Sequence, residues 1–146
     1  MPEEYYRFNP NDSNSKWDFT KKEPDIVVVN LFQNDSWLVN QPNNEQYKRR
    51  FGTMAPTKQQ TIESYVSFLK TIRSKYANAK IICMLGNMDI TKQNSVWPDY
   101  VNKAVTKIDD SKIYTLFVPY KNTPGHPKVN EQQLIAEKLT AFIKSI

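Results

Sequence analysis

The sequence has very few cysteine and histidine residues, which are the usual sources of disulfides and zinc ligands. It contains one cysteine, Cys83, and one histidine, His126, in 146 residues. A disulfide needs two cysteines, and a zinc site with one Cys and one His would need mostly carboxylates, which is not a zinc pattern. We therefore expect no disulfide, metal or cofactor. Cys83 lies in the apolar run KIICMLG, which favours a small buried hydrophobe over a reactive thiol.

Long apolar runs and a basic leader are also absent. The longest apolar run is far below the ~20 residues of a membrane-spanning helix, and residues 2–15 have neither a basic start nor an apolar segment. We expect no membrane span and no signal peptide in this chain. The sequence does not indicate the cellular compartment of the protein. The net charge is +5, but only residues 47–51, YKRRF, form a basic cluster. This scatter argues against a nucleic-acid partner.

The composition is that of a globular domain. Hydrophobic residues make up 39% of the chain and aromatic residues 12%, which argues against disorder. A chain of 146 residues is long enough to bury one core, and no repeat, low-complexity tract or linker divides it. We predict a single domain over residues 1–146, with an irregular amino-terminal arm over residues 1–24.

Apolar patterning predicts alternating strands and helices. Short segments rich in β-branched residues predict strands at 25–32, 80–86 and 113–119. The near-continuous apolar character of the first two predicts burial on both faces, as in a parallel sheet. Helical periodicity predicts helices at 58–76, about 97–109, and about 131 to the end. This order predicts right-handed crossovers and a three-layer α/β/α architecture.

Two helix starts carry capping signals. Thr57 and Gln60 have the spacing of a capping box at the start of the first helix, and Asn130 with Gln133 has the same spacing at the start of the last. The last helix is predicted to bury five apolar side chains: Leu134, Ile135, Leu139, Phe142 and Ile143.

The connection at residues 33–56 is far longer than the usual loop, which indicates a functional or disordered segment. Its aromatic residues argue against disorder. In a parallel sheet it leaves the carboxyl edge, where open α/β folds bind ligands. The segments after the second and third predicted strands leave from the same edge. Five polar residues are therefore expected to converge there: Asn34, Asp35, Asn87, Asp89 and His126.

Two blocks of the sequence resemble a known family. Residues 24–37, PDIVVVNLFQNDSW, resemble the strand and turn of the SGNH, or GDSL-like, hydrolases, where the usual form is N-L-G-x-N-D. Residues 125–127, GHP, followed by an amphipathic helix, resemble the final block of that family. KWDF at residues 16–19 is similar to the acetylxylan-esterase-like branch. The resemblance covers the chain from about Trp17 to its end, and it implies the C-terminal portion of a flavodoxin-like, SGNH hydrolase-like fold.

The resemblance also implies roles in ester hydrolysis by a serine nucleophile. His126 would be the general base, and Asn34 would donate its side-chain amide to the oxyanion hole. Phe32 stands where the family has glycine, so it would narrow the acyl pocket and favour small acyl groups such as acetyl. The residues expected to bind substrate are Asp35, Trp37, Phe32 and Asn87.

Structural alternatives stay open for the same residues. Asn34 and Asp35 could simply end the strand and cap the loop. Trp37, with Trp97 and Tyr100, could form a sugar-stacking wall or pack in the interior. Without the flanking resemblance, His126 would be an exposed turn residue.

The front of the family pattern is missing. No Gly-Asp-Ser occurs in the sequence, and only 24 residues precede Asp25. Ser13 follows no strand, and Ser36 belongs to the block that supplies the oxyanion-hole asparagine, so neither is favoured as the nucleophile. Thr123 and Pro124 stand where the family has an aspartate before its histidine. His126 must then be oriented by a backbone carbonyl or another group.

Two functional hypotheses follow. In the first, the chain is the C-terminal portion of an SGNH-type esterase for small acyl esters of carbohydrates, inactive alone because it lacks the nucleophile. In the second, it is a non-catalytic binding or assembly module that keeps the α/β frame. The motive of the second is a bare sheet edge. If the strand at 25–32 is central in the complete fold, truncation exposes its backbone groups, which residues 1–24, a missing amino-terminal segment, a second copy of the chain or another partner should cover.

Overall fold

A computed structural model describes residues 4–146. Eight strands and helices follow in the order β1 (Ile26–Asn30), α1 (Gln33–Leu38), α2 (Glu45–Phe51), α3 (Lys58–Lys75), β2 (Lys80–Leu85), α4 (Trp97–Ile108), β3 (Ile113–Phe117) and α5 (Val129–Ser145). Single 3₁₀ turns occur at Glu4–Tyr6, Phe19–Lys21 and Asp89–Thr91. The three predicted strands and three predicted helices are therefore confirmed, with ends that differ by at most two residues.

The three strands form one parallel sheet in the order β1-β2-β3. Val28 of β1 is paired with Ile82 of β2, and Ile82 is paired in turn with Tyr114 of β3. Because all three strands run in the same direction, the segments that follow them leave from one edge of the sheet. The predicted parallel α/β arrangement is confirmed.

Helices cover both faces of the sheet. On one face, α3 and α4 pack against each other and against alternate strand residues such as Val29, Cys83 and Ile113. On the other face, α5 packs through half-buried Ile135, Leu139, Phe142 and Ile143 against Ile82, Met84 and Val118. The architecture is therefore the predicted three-layer α/β/α sandwich. Cys83 is fully buried in the first layer, and burial raises the pKa of its thiol to about 11.

The capping box at the start of α3 is confirmed. The Thr57 hydroxyl accepts a hydrogen bond from the backbone amide of Gln60 at 3.2 Å. The Gln60 side-chain oxygen accepts one from the backbone amide of Thr57 at 2.8 Å. These two bonds satisfy amide groups that have no partner within the helix. Ile62, Tyr65 and Leu69 of this helix are buried, as its periodicity predicts.

The start of α5 was predicted incorrectly. The helix begins at Val129, and the carboxylate that closes its first turn is Glu131, which accepts a hydrogen bond from the Lys128 amide at 2.7 Å. Asn130 lies inside the first turn and does not cap it. Leu134 was predicted to be buried but is 46% exposed, since it lies outside the apolar cluster that the other four predicted residues of α5 join.

The long connection after β1 contains two helices that the sequence pattern did not predict. They are short, α1 with six residues and α2 with seven, and each buries one residue, Leu38 and Tyr47. Asn44 caps α2 by accepting a hydrogen bond from the Gln46 amide at 2.8 Å. Helices of this length show too little periodicity to stand out from a loop.

The burial predicted for the first strand was only partly right. All but the first residue of β2 are buried, as expected of a central strand. In β1, only Val29 is buried, and Val28 is 40% exposed. β1 lies at an edge of the sheet, so one row of its backbone groups has no strand partner among residues 4–146. No helix within that range is long and apolar enough to cross a membrane.

Replacement of Thr57 by alanine tests the cap of α3. We expect a loss of about 1 kcal/mol in the free energy of unfolding, because the Gln60 amide loses its acceptor. The measurement is urea unfolding followed by circular dichroism. Thr106→Ala, at an exposed position inside α4, is the matched control and should change stability by less than about 0.5 kcal/mol. Equal stability of the two variants would contradict the assignment of the cap.

Candidate functional site

A cleft of about 700 Å³ opens at the carboxyl edge of the sheet. Its walls come from α1 and the turn that follows it, from the segment at residues 88–97 after β2, and from His126 after β3. Each of these segments follows a different parallel strand, which explains why residues so distant in sequence share one cleft. Four of the residues expected at this edge or at the site line it: Asn34, Trp37, Asp89 and His126.

Asn34 and Trp37 reach the cleft from α1. Asn34 lies in the first turn of the helix, is exposed, and lines both this cleft and a second cavity next to it. Trp37 is 55% exposed, whereas Trp97, which also lines the cleft, is only 9% exposed and packs on Tyr100 with ring centroids 5.6 Å apart. Of the three aromatic residues proposed for a sugar-stacking wall, Trp37 is therefore the one whose ring is open to the cleft.

The turn between β1 and α1 depends on an unusual backbone conformation. Phe32 precedes the helix with φ 73° and ψ −10°, in the left-handed region that favours glycine. Its ring packs on Tyr65 and Trp97, with centroids 4.8 Å and 5.0 Å away. The glycine of the N-L-G-x-N-D pattern thus corresponds to a backbone requirement, which Phe32 meets at the cost of strain.

Two predicted binding residues lie outside the main cleft. Phe32 and Asp35 line a second cavity of about 400 Å³, bordered by Leu38, Arg50 and Phe68. Phe32 therefore does not narrow the cleft that contains His126, in contrast to the expectation from its place in the sequence. Its ring contributes to the packing beneath α1.

Asn87 was predicted to bind substrate but does not line the cleft. Its side chain is 1% exposed, and its amide donates to the carbonyl of Glu131 in α5 at 3.5 Å. The backbone carbonyl of Asn87 accepts a hydrogen bond from the backbone amide of Lys121 at 2.8 Å. Asn87 therefore joins the segment after β2 to the segment after β3, underneath the loop that carries His126.

The cleft also contains two charged residues, of which Asp89 was expected at this edge from the sequence and Lys92 was not. Asp89 and Lys92 line it and form an ion pair at 3.0 Å. The hydrogen bond from Lys92 to Asp89 raises the pKa of the lysine, whose ammonium lies 5.1 Å from the Tyr120 ring centroid. Only its position after β2, at the same edge of the sheet, pointed to Asp89. Across residues 4–146, no group of three His, Cys, Asp or Glu side chains is placed to hold a metal ion.

Two serines line the cleft, and both hydroxyls are bonded to the main chain. Ser36 donates to the carbonyl of Gln33 at 2.8 Å, and Ser95 donates to the carbonyl of Ile90 at 2.5 Å. Ser13 is exposed in the amino-terminal arm and does not line the cleft. A catalytic serine must donate its proton to a base, so neither cleft serine is prepared for attack in this arrangement.

The chain has relatives among curated proteins. No family model matches it. It is 30% identical over 144 residues to the cellulase/esterase CelE of Acetivibrio thermocellus, and 25% identical over 146 residues to an acetylxylan esterase/glucomannan deacetylase of Cellvibrio japonicus. These alignments include 91% and 95% of the chain but only 16% and 38% of the relatives. The chain therefore spans well under half the length of either protein.

Solved structures show the same fold. A family two carbohydrate esterase from Clostridium thermocellum, in complex with cellohexaose, matches with a TM-score of 0.76 and 28% identity, over 98% of this chain and 42% of that one. An acetyl xylan esterase from the rumen bacterium Butyrivibrio proteoclasticus matches with a TM-score of 0.75 and 22% identity, over 99% of this chain and 45% of that one. The second likeness concerns the fold alone.

Replacement of Phe32 by glycine and by alanine separates strain from packing. Both variants lose the ring, so both should be destabilised, but Phe32→Gly should be more stable than Phe32→Ala by about 1 kcal/mol because glycine relieves the left-handed strain. Urea unfolding of the two variants measures the difference. At Ser67, an exposed position inside α3, the same pair should show the opposite order, with alanine more stable by about 1 kcal/mol. If Phe32→Ala were as stable as Phe32→Gly or more stable, with alanine also favoured at Ser67, the strain at Phe32 would be contradicted.

Proposed function

The chain is similar to the C-terminal portion of the family two carbohydrate esterases, which have an SGNH-like fold, and from this premise we propose that it supplies the base and one oxyanion donor of a serine esterase. His126 takes the proton of the nucleophile, and the Asn34 amide stabilises the negative oxygen of the tetrahedral intermediate. The substrate is a small acyl ester of a carbohydrate, with acetyl as the acyl group.

The single observation that carries this proposal is the shared cleft of Asn34 and His126. The two residues belong to the two sequence blocks that resemble the SGNH hydrolases, and they come from opposite edge strands of the sheet. An exposed imidazole and an exposed amide in one cleft are groups that acyl transfer requires beside a nucleophile. Trp37 lines the same cleft, is 55% exposed, and offers an aromatic face to a sugar ring.

The nucleophile is proposed to come from another polypeptide segment. Both cleft serines are bonded to main-chain carbonyls, and the sequence contains no Gly-Asp-Ser. The edge of β1 offers a place for a further parallel strand, since its backbone groups on that side have no strand partner among residues 4–146. A strand that pairs there and ends in Gly-Asp-Ser would deliver its serine to the carboxyl edge, where the cleft lies.

A joined protein tests the proposal. The joined protein consists of the part of the Clostridium thermocellum esterase that precedes its match to this chain, fused in front of β1. Its hydrolysis of 4-nitrophenyl acetate is measured. The isolated chain should hydrolyse the ester on the order of 10⁶ more slowly than the joined protein, which is the loss in kcat that removal of the catalytic serine causes in the worked case of subtilisin. The joined protein should hydrolyse the ester.

Substitutions in the joined protein assign the roles. His126→Ala should lower kcat by about 10⁴-fold or more, and Asn34→Ala by about 10²–10³-fold, the usual effect of one oxyanion donor. Asn102→Ala, at an exposed position on α4, is the matched control and should have no effect. Enzyme-like hydrolysis by the isolated chain that is abolished by His126→Ala would overturn the need for a separate nucleophile.

A second candidate function is non-catalytic binding and assembly. The observation that favours it is the apolar edge strand, in which Val28 is 40% exposed. In this candidate, a second copy of the chain pairs with β1, and the cleft binds carbohydrate without chemistry. A folded joined protein without esterase activity, together with an isolated chain that sediments as a dimer, would favour this candidate over the first.

A further inference from the structure

Lys121 has an unusually buried side chain for a lysine. It lies between β3 and α5, in the segment that leads to His126, and its side chain is only 3% exposed. Its ammonium donates to the carbonyls of Thr123 and Pro124 at 2.8 Å and 3.1 Å, and to the Thr123 hydroxyl at 2.7 Å. A buried ammonium is stable only when it is paired and hydrogen-bonded, and these three bonds meet that condition.

Glu131 completes the arrangement from the first turn of α5. One carboxylate oxygen accepts from the Thr123 hydroxyl at 2.5 Å, and the other accepts from the Lys128 amide at 2.7 Å and lies 3.7 Å from the Lys121 ammonium. The Thr123 hydroxyl, the Lys128 amide and the neighbouring lysine charges hold the pKa of this carboxyl below its usual range. Glu131 thus bonds to both ends of the loop at residues 122–128.

The backbone of this loop needs such support. Asn122 and Gly125 have φ angles of 57° and 75°, and Gly125 directly precedes His126. A β-carbon on Gly125 would meet nothing within 4 Å, so glycine is required there by conformation and not by space. Left-handed residues in a loop persist when the surrounding contacts determine them. Lys121 and Glu131 provide those contacts on either side of His126.

His126 has no carboxylate partner among residues 4–146, and Thr123 and Pro124 stand where the related pattern has aspartate. We propose that Lys121, Thr123 and Glu131 form a clamp that fixes the loop at residues 122–128 and so orients the His126 imidazole toward the cleft. The three are positioning residues, since they act through the loop. The catalytic meaning of this clamp depends on the proposed esterase function, whereas its effect on the loop does not.

The single histidine makes the proposal directly measurable. In the full chain, the ¹H–¹³C signals of the one imidazole report the motion of His126 without ambiguity. Lys121→Met keeps most of the aliphatic side chain and removes the ammonium. We expect the order parameter of the loop amides to fall from about 0.85, typical of a rigid backbone, to below about 0.6. Hydrogen exchange of the Lys128 backbone amide, which donates to the Glu131 carboxylate at 2.7 Å, should become at least tenfold faster.

Two further variants keep the test decisive. Lys138→Met, at an exposed position on α5, removes the same charge without touching the loop and should leave the His126 signals unchanged. Thr123→Val removes the hydroxyl that bonds both Lys121 and Glu131, at an exposed position where folding is not at risk, and should mobilise the loop as Lys121→Met does. Unchanged order parameters in both clamp variants would overturn the proposal.

The catalytic consequence is read in the joined protein. There, Lys121→Met should lower kcat by about tenfold or more with little change in KM, because a disordered base affects the chemical step more than ground-state binding. If the joined protein has no activity while the loop still loosens in both clamp variants, the proposed function fails and the clamp stands. If the joined protein is active and the loop does not change, the clamp fails and the proposed function stands.

Discussion

Parallel pairing of β1, β2 and β3 is the constraint on which the site depends. With β2 in the middle, the segments after all three strands emerge at one edge of the sheet, and the cleft is built from those segments alone. Antiparallel pairing of either outer strand would send Asn34 or His126 to the opposite edge. The buried residues of β2 and the helices α3 and α4 hold this arrangement through a continuous apolar layer.

The turn after β1 and the loop after β3 then set where the site residues lie in the cleft. On one wall, the left-handed Phe32 turns the chain from β1 directly into α1, which brings Asn34 and Trp37 to the cleft. On the other wall, the buried Lys121 and Glu131 fold the loop before α5, which brings His126 there. In both places left-handed backbone is held by neighbouring contacts, aromatic packing in the first case and charged hydrogen bonds in the second.

The sequence predicted the parts of the fold that rest on long periodic patterns. The strands, α3 with its capping box, and the three-layer order follow from apolar spacing, which averages over many residues. Prediction from the sequence failed at the start of α5, where a single hydrogen bond to Glu131, and not Asn130, closes the first turn. It also missed α1 and α2, which are too short to show helical periodicity. The shared cleft of Asn34, Trp37 and His126 follows from parallel topology. The burial of Asn87 and the inward ring of Phe32 depend on tertiary packing, which spacing does not encode.

In the proposed esterase, a serine from a segment that pairs with β1 completes the cleft. Sequencing of the DNA upstream of the Met1 codon and of the neighbouring genes tests this most directly. We expect an apolar segment of strand length that ends in Gly-Asp-Ser, encoded either in frame with this chain or in a neighbouring gene. If no such segment is encoded in either place, the claim is contradicted, and a non-catalytic binding module becomes the better account.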